Sequence, residues 1–262
     1  MGQRGGRRPP ASHGPRDGGR CRLSAVGDQA GSGAGPGAAG AEGTASADYA
    51  GDARAFAERL RAFSTMEELG GFARGCTRCG LRAGCKGVVF GEGDPRARLL
   101  LVGEGPGATE DDLGRPFVGR AGELLDRILE AAGFRRQDVY ISNVVLCRPP
   151  DNRIPDDAEI AACRPYLRRR MDIMRPGIVV ALGATALRAL VDARARVTQE
   201  RGRWHRVEER WVLPTFHPAA VLRDASKKKP VWEDFQMVRD LYRRMYGALP
   251  AEAAAASGPA EG

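Results

Sequence analysis

The chain has 262 residues, 42% of them hydrophobic and 28% charged, with a formal net charge of +8 at pH 7. This is enough apolar material for one large domain or two small ones. The longest apolar runs, at 99–102 and 178–182, fall far short of the roughly 20 residues of a membrane helix. That excludes a helical membrane-spanning protein. The positive balance favours an anionic partner, although a solvated basic surface accounts for it equally well. Lysine stands only at 86, 227, 228 and 229, and the other 37 basic residues are Arg, a bias read chiefly as genomic composition.

Residues 1–51 hold 14 of the 35 glycines and almost no large apolar side chain. Such a segment buries too little surface to offset its ordering entropy and is expected to be a disordered leader. Its arginines (Arg4, Arg7, Arg8, Arg16, Arg20) could touch nucleic acid nonspecifically, and it lacks the apolar core of a secretory signal. Residues 248–262 read as a second tail, which leaves one folded domain over 52–247. Within it, an amphipathic stretch at 52–62 precedes a helix opened by a Ser64/Glu67 capping box and running to Phe72. A buried strand is expected at 97–103. A helix follows at 121–132, with apolar residues at helical spacing and Gly133 at its end. The pattern continues with a β-branched strand at 138–146, a helix at 156–174 and a strand at 177–182. A helix at 184–191, a hairpin near 204–208 and 210–214, and a last helix at 231–246 complete it. Strands alternating with helices predict an α/β fold, a mostly parallel sheet covered on both faces. Ligands bind such sheets at the carboxyl ends of the strands. The loops there are 103–119, 147–155 and 216–223.

Six cysteines occur, at 21, 76, 79, 85, 147 and 163. Cys76-x-x-Cys79 is a metal-chelating turn that needs two more soft ligands. Cys147, at the end of a strand, and Cys163, on the next helix, are the natural candidates, with Cys85 as the rival. A disulfide or buried unligated thiols are the alternatives, and spacing does not separate zinc from an iron–sulfur cluster. The arrangement suits a reducing cytosol.

The 103–119 loop has three glycines around Pro106, so its backbone can approach a ligand closely. It lacks the Lys-Ser/Thr of a P-loop and the spacing of a dinucleotide fingerprint. Its density of carboxylates (Glu104, Glu110, Asp111, Asp112) suggests a chemical task such as orienting water, or else helix capping. Phe117 reads as core or as a stacking platform.

Several motifs occur in order: Cys76-x-x-Cys79; Val89-Phe90-Gly91-Glu92-Gly93; Gly103-Glu104-Gly105-Pro106-Gly107-x-x-Glu110-Asp111. They continue with Arg115-Pro116-Phe117-Val118-Gly119-Arg120-Ala121-Gly122, Asn143-Val144-Val145-x-Cys147-Arg148-Pro149-Pro150 and His217-Pro218-Ala219. Over about residues 70–247 the chain resembles the family 4 (iron–sulfur) uracil-DNA glycosylases. The resemblance implies a three-layer α/β/α sandwich around a short, mostly parallel sheet. It also implies a 4Fe–4S cluster on Cys76, Cys79, Cys147 and Cys163, and gives Cys85 no role. Gly105 departs from the more usual Ala. The 148–155 stretch lacks the His with which a related branch crosslinks to DNA, so no covalent trapping is expected.

By the same resemblance, uracil flipped out of single- or double-stranded DNA stacks on Phe117, and Asn143 reads its Watson–Crick edge. Gly105 and Gly107 flank it, Glu110 stands where a thymine methyl would intrude, and His217 donates to uracil O2. Glu104 positions the attacking water, with Asp111 as the alternative. Val221, Leu222 and Arg223 are the expected minor-groove wedge. Arg148 and Lys227, Lys228 and Lys229 are expected on phosphates, as Arg164, Arg168, Arg169 and Arg170 could also be. No lysine lies in the pocket loops, so no Schiff-base step is expected. The expectation is a monomeric, monofunctional hydrolase of base excision repair in a prokaryotic cytosol, associated with the nucleoid. Alternatives are a glycosylase of wider base range and a non-catalytic metal module that binds nucleic acid.

Overall fold

The computed structural model describes residues 48–256. The expectations for 1–47 and 257–262 lie outside the described residues. Helices α1 (Asp48–Leu60) and α2 (Met66–Arg74) come first. The α2 capping box uses Thr65 and Glu68 instead of Ser64 and Glu67. Thr65 holds the extended backbone that an N-cap needs, and Glu68 Oε2 accepts from the backbone N–H of both Ser64 and Thr65. A four-residue helix, α3 (Leu81–Gly84), sits in the cysteine-bearing segment. Strands β1 (Glu92–Gly93) and β2 (Leu99–Gly103) lead to α4 (Ala108–Leu113) and α5 (Arg120–Ala131). Then come β3 (Tyr140–Asn143), α6 (Asp157–Met174), β4 (Ile178–Leu182), α7 (Ala184–Leu190) and α8 (Val197–Glu200). The hairpin β5 (His205–Val207) and β6 (Arg210–Thr215), α9 (Pro218–Arg223), α10 (Lys228–Tyr246) and α11 (Pro250–Ala256) complete the order.

The six strands form one sheet in the order β1-β3-β2-β4-β6-β5. The inner four are parallel, and each edge strand is antiparallel to its neighbour. Side chains alternate faces along each strand. Leu100, Val102, Val179 and Ala181 join one core layer with residues of α2, α6 and α7. Leu99, Leu101, Ile178, Val180 and Leu182 join the other, with residues of α5 and α10. This is the expected three-layer arrangement.

Two further sequence expectations change. The run at 138–146 is a strand only over Tyr140–Asn143. Beyond it the N–H groups of Val144 and Val145 bond to the carbonyls of Gly103 and Glu104, so the chain follows the loop after β2. Its apolar residues are buried there without being in the sheet, and alternation alone cannot tell those cases apart. The tail expected from 248 is folded as far as Ala256. Leu249 is buried against α10, and Glu252 accepts from the Leu249 N–H and pairs with Arg243.

One arginine among the described residues lies fully inside. Arg170 on α6 is 1% exposed. Its guanidinium donates to the carbonyls of Phe90 (2.7 Å) and Asn143 (3.0 Å) and to the Ser142 hydroxyl. It therefore ties α6 to the end of β3. Burial lowers its pKa, yet guanidinium remains charged at physiological pH. Arg170→Ala would orphan these acceptors and open a cavity, and should cost about 3 kcal/mol or more in urea unfolding. A loss below about 1 kcal/mol would show that the tie is dispensable.

Candidate active site

In the strand order the chain passes from β2 to β3 on one side and to β4 on the other. Crevices form at such a reversal. A cavity of about 460 Å³ opens there, bounded by the ends of β2, β3, β4 and β6. Of the residues singled out from the sequence, Glu104, Gly105, Gly107, Glu110, Phe117, Asn143, His217 and Arg223 line it. Three separate stretches of the chain, after β2, at the end of β3 and after β6, thus deliver their groups to one space.

Asn143 is 1% exposed at the end of β3, and its side-chain oxygen has no partner among the described residues. A buried acceptor left unpaired costs free energy, so this oxygen is suited to an N–H brought by a ligand. A Cβ on Gly103 would meet both this oxygen, at 2.4 Å, and the Phe117 ring, at 2.5 Å. The amide and the ring therefore converge on one point. The Phe117 and His217 rings are stacked, with centroids 5.4 Å apart.

His217 N-caps α9, and its Nδ1 accepts from the Ala219 N–H at 3.1 Å. In the neutral ring the proton therefore sits on Nε2, leaving that nitrogen as the donor. Burial, aided by the nearby positive Arg223, pushes its pKa down to about 4.

Phe117 has a left-handed backbone, with φ 51°. Such strain persists only where the surroundings fix it. Glu110 Oε1 accepts from the N–H of Val118 (2.9 Å) and Gly119 (2.8 Å), and Arg136 donates to the carbonyls of Pro116 (2.5 Å) and Phe117 (3.1 Å). Arg136 is held in turn by Asp126 and Glu92. The sequence reading missed Arg136, because nothing local marks an arginine that reaches back across nineteen or twenty positions. At Gly105 a Cβ would come within 2.8 Å of Val145 Cγ2. The small residue is matched to the bulk of Val145.

Other expected residues lie elsewhere. Asp111 is buried outside the cavity lining, its carboxylate accepting the Lys86 N–H at 3.0 Å and the Gly87 N–H at 3.5 Å. It anchors α4 to the cysteine segment. Val221 is 2% exposed and packs in the core, so it cannot enter a groove. Leu222 is exposed but off the cavity wall, whereas Ile154, which the sequence reading did not select, lies on the wall and is 67% exposed. Arg148 donates to Asn152 at the cavity edge. Arg170 is buried, Arg169 donates to the Phe63 carbonyl and Arg168 pairs with Glu208. Arg164 and Arg168 line a larger hollow of about 650 Å³ between α6, α7 and the β5–β6 hairpin, which shares no residue with the first. Lining chemistry, not size, selects the smaller cavity.

The thiols gather behind the active-site wall. Cys76, Cys79, Cys147 and Cys163 line one apolar hollow with Val145, Leu146 and Ala162. Cys85 approaches Cys147 and bonds to the Arg82 carbonyl. Burial raises the Cys79 and Cys147 thiols and pushes Cys163 up to about 12. Among the described residues, no three metal-binding side chains are set closely around a single-ion position. An all-thiol donor set facing one hollow suits a soft-metal centre, and these residues fit the cluster that the sequence resemblance implies.

Among the described residues, no helix is long and apolar enough to cross a membrane. Residues 90–236 match the family model of the uracil DNA glycosylase superfamily. A type-4 uracil-DNA glycosylase of Thermotoga maritima is 44% identical over 185 residues, covering 68% of this chain and 95% of that protein. A type-4 uracil-DNA glycosylase of Sulfurisphaera tokodaii is 43% identical over 175 residues, 63% of this chain and 80% of that one. A type-5 uracil-DNA glycosylase of Thermus thermophilus is 37% identical over 118 residues, 39% of this chain and 53% of that one.

The His217 environment sets a pH expectation. In the folded chain it takes a proton near pH 4, against 6.5 for the free side chain. The unfolded chain therefore binds more protons between those values, and the stability tied to His217 is complete above 6.5 and lost as pH falls toward 4. Imidazole ¹H–¹⁵N correlation spectra should show a ring protonated on Nε2 alone down to about pH 5. A midpoint near 6.5 would refute this environment.

Proposed function

This chain belongs to the uracil-DNA glycosylase superfamily, and we propose that its cavity hydrolyses the N-glycosidic bond of deoxyuridine flipped out of DNA, leaving an abasic site for base excision repair. The chain is a uracil-DNA glycosylase, a hydrolase of N-glycosyl bonds, and its similarity to type-4 enzymes extends over most of the described domain. The observation that carries the residue-level reading is the convergence of the Phe117 ring, the Asn143 amide and the His217 imidazole on one cavity.

Extrusion of a stacked base costs a few kcal/mol. Stacking on Phe117 returns about 1–3 kcal/mol. The orphaned Asn143 oxygen accepts from uracil N3–H, and the amide nitrogen donates to O4. Cytosine has no proton on N3 and a donor in place of O4, so both contacts fail. As the C1′–N1 bond breaks, its electron pair goes to the base. The neutral His217 offers Nε2–H to O2 without losing its own proton, and a donor fixed in a dry pocket is most effective where charge develops. Glu104 orients the water that adds to C1′ and faces the positive sugar, and the proton this water releases neutralises the departing uracil anion. Glu110 supports this centre by holding the Phe117 turn, and its side chain is also the wall that would meet a thymine methyl. No lysine lines the cavity among the described residues, which supports a hydrolase without a Schiff-base step.

Arg223 on the wall, exposed Leu222 beside it and exposed Ile154 on the rim form the DNA-facing edge of this reading, with Ile154 replacing Val221 as an apolar wedge. Lys228 and Lys229 are exposed at the start of α10 and suit phosphates. In this reading a monomer acts on uracil in single- or double-stranded DNA. The cluster on Cys76, Cys79, Cys147 and Cys163 would tie the segment before β1 to the turn after β3 and to α6. Its chemistry when bound is that of a structural staple.

Incubation with uracil-containing oligonucleotides followed by alkali should cut the parent's product at uracil. His217→Ala should lower the single-turnover rate by about 100-fold or more, and equal rates would defeat the assignment. Protein purified without oxygen should be brown, absorb near ~400 nm and contain iron and sulfide. Cys163→Ala should lose that colour. Colourless parent protein containing zinc would replace the cluster by a zinc site.

A further inference from the structure

Glu104 and His217 leave the sheet from different strands, β2 and β6, with β4 between them. The turn after β4 touches both. Thr185, in the first turn of α7 and 4% exposed, donates its hydroxyl hydrogen to Glu104 Oε2 at 2.5 Å. Two residues earlier, Gly183 has φ 93°, and a Cβ there would stand 3.1 Å from the Cβ of His217. Its N–H donates to the Thr215 carbonyl, two residues before His217. Leu182, Gly183 and Ala184 all line the cavity.

We propose that the β4–α7 turn sets the geometry of the reaction, with Thr185 as the positioning residue that fixes the Glu104 carboxylate. The inference rests on the reading of Glu104 as the water-orienting group. A glutamate has three side-chain torsions, and one anchored oxygen removes most of their freedom. With Oε2 engaged, Oε1 is left for water. Thr185 is nearly buried and is not among the residues that line the cavity, so it positions the group without touching substrate. The turn seats the hydroxyl against one wall while Gly183 admits His217 against the other. Two side chains that line the same cavity are thereby both referenced to one turn. Misplacement of about 1 Å in a reacting group costs on the order of 100-fold in rate, so this anchoring has kinetic weight.

The test is single- and multiple-turnover kinetics on a uracil-containing oligonucleotide, using the full chain. Thr185→Val should lower kcat about 10- to 100-fold with KM within about twofold of the parent. Thr185→Ser, which keeps the hydroxyl, should restore the rate to within about threefold. In a Glu104→Ala background Thr185→Val should cost less than about twofold, because the group it positions is gone. Equal cost in both backgrounds, or no rescue by serine, would overturn the proposal and leave Thr185 a packing residue. A Glu104→Ala variant as fast as the parent would overturn the reading of Glu104 itself. Thermal unfolding of each variant shows that the rates refer to folded protein.

Discussion

Parallel strands must all end at the same edge of their sheet, and the chemistry of this protein hangs from that constraint. The ends of β2, β3, β4 and β6 supply Glu104, Asn143, the Gly183–Thr185 turn and His217, which come from four distant parts of the chain. Because β2 lies between β3 and β4, the loops diverge around it and leave a crevice instead of packing against one another.

The loops around that crevice are pinned from behind by polar side chains. Arg170 holds the end of β3, Arg136 and Glu110 hold the strained Phe117 turn, and Asp111 holds α4 to the cysteine segment. Asp234 on α10 accepts from the Thr215 hydroxyl and pairs with Arg201, fixing the end of β6 just before His217. These groups bond largely to backbone atoms. Backbone bonds fix where a loop runs, whereas side-chain packing alone leaves its path less determined. The cost of burying such groups is offset because their donors and acceptors find partners. Asn143 differs from these groups: its side-chain oxygen has no partner among the described residues, and the residue lines the cavity. In the proposed function this oxygen is the acceptor kept for uracil N3–H.

The thiol hollow serves the same end. Val145 and Leu146 line it, while Asn143, just before them, lines the cavity. A centre bound by Cys147 and Cys163 would hold the turn after β3 against α6, which also carries Arg170. The apolar 144–146 segment therefore serves as a wall between two sites, and its hydrophobicity mimics a longer strand.

The sequence by itself determined the layer architecture, because period-two apolar strands alternating with helices admit few other packings. Its motifs carried the cavity residues and the cysteine quartet by resemblance, since Gly103, Phe117, Asn143 and His217 stand next to chain features that are legible locally. Only the tertiary structure decided which members of an acidic cluster face the cavity. Glu104 and Asp111 are alike in composition and loop, yet one lines the crevice and the other is bound to the Lys86 and Gly87 amides. The same holds for Val221, drawn into the core by the rotation of a six-residue helix, and for Arg136 and Thr185, whose partners are remote in sequence. Periodicity reports which face of an element is apolar. It does not report what a polar side chain reaches after the chain has folded back on itself, because that depends on the path of the intervening residues.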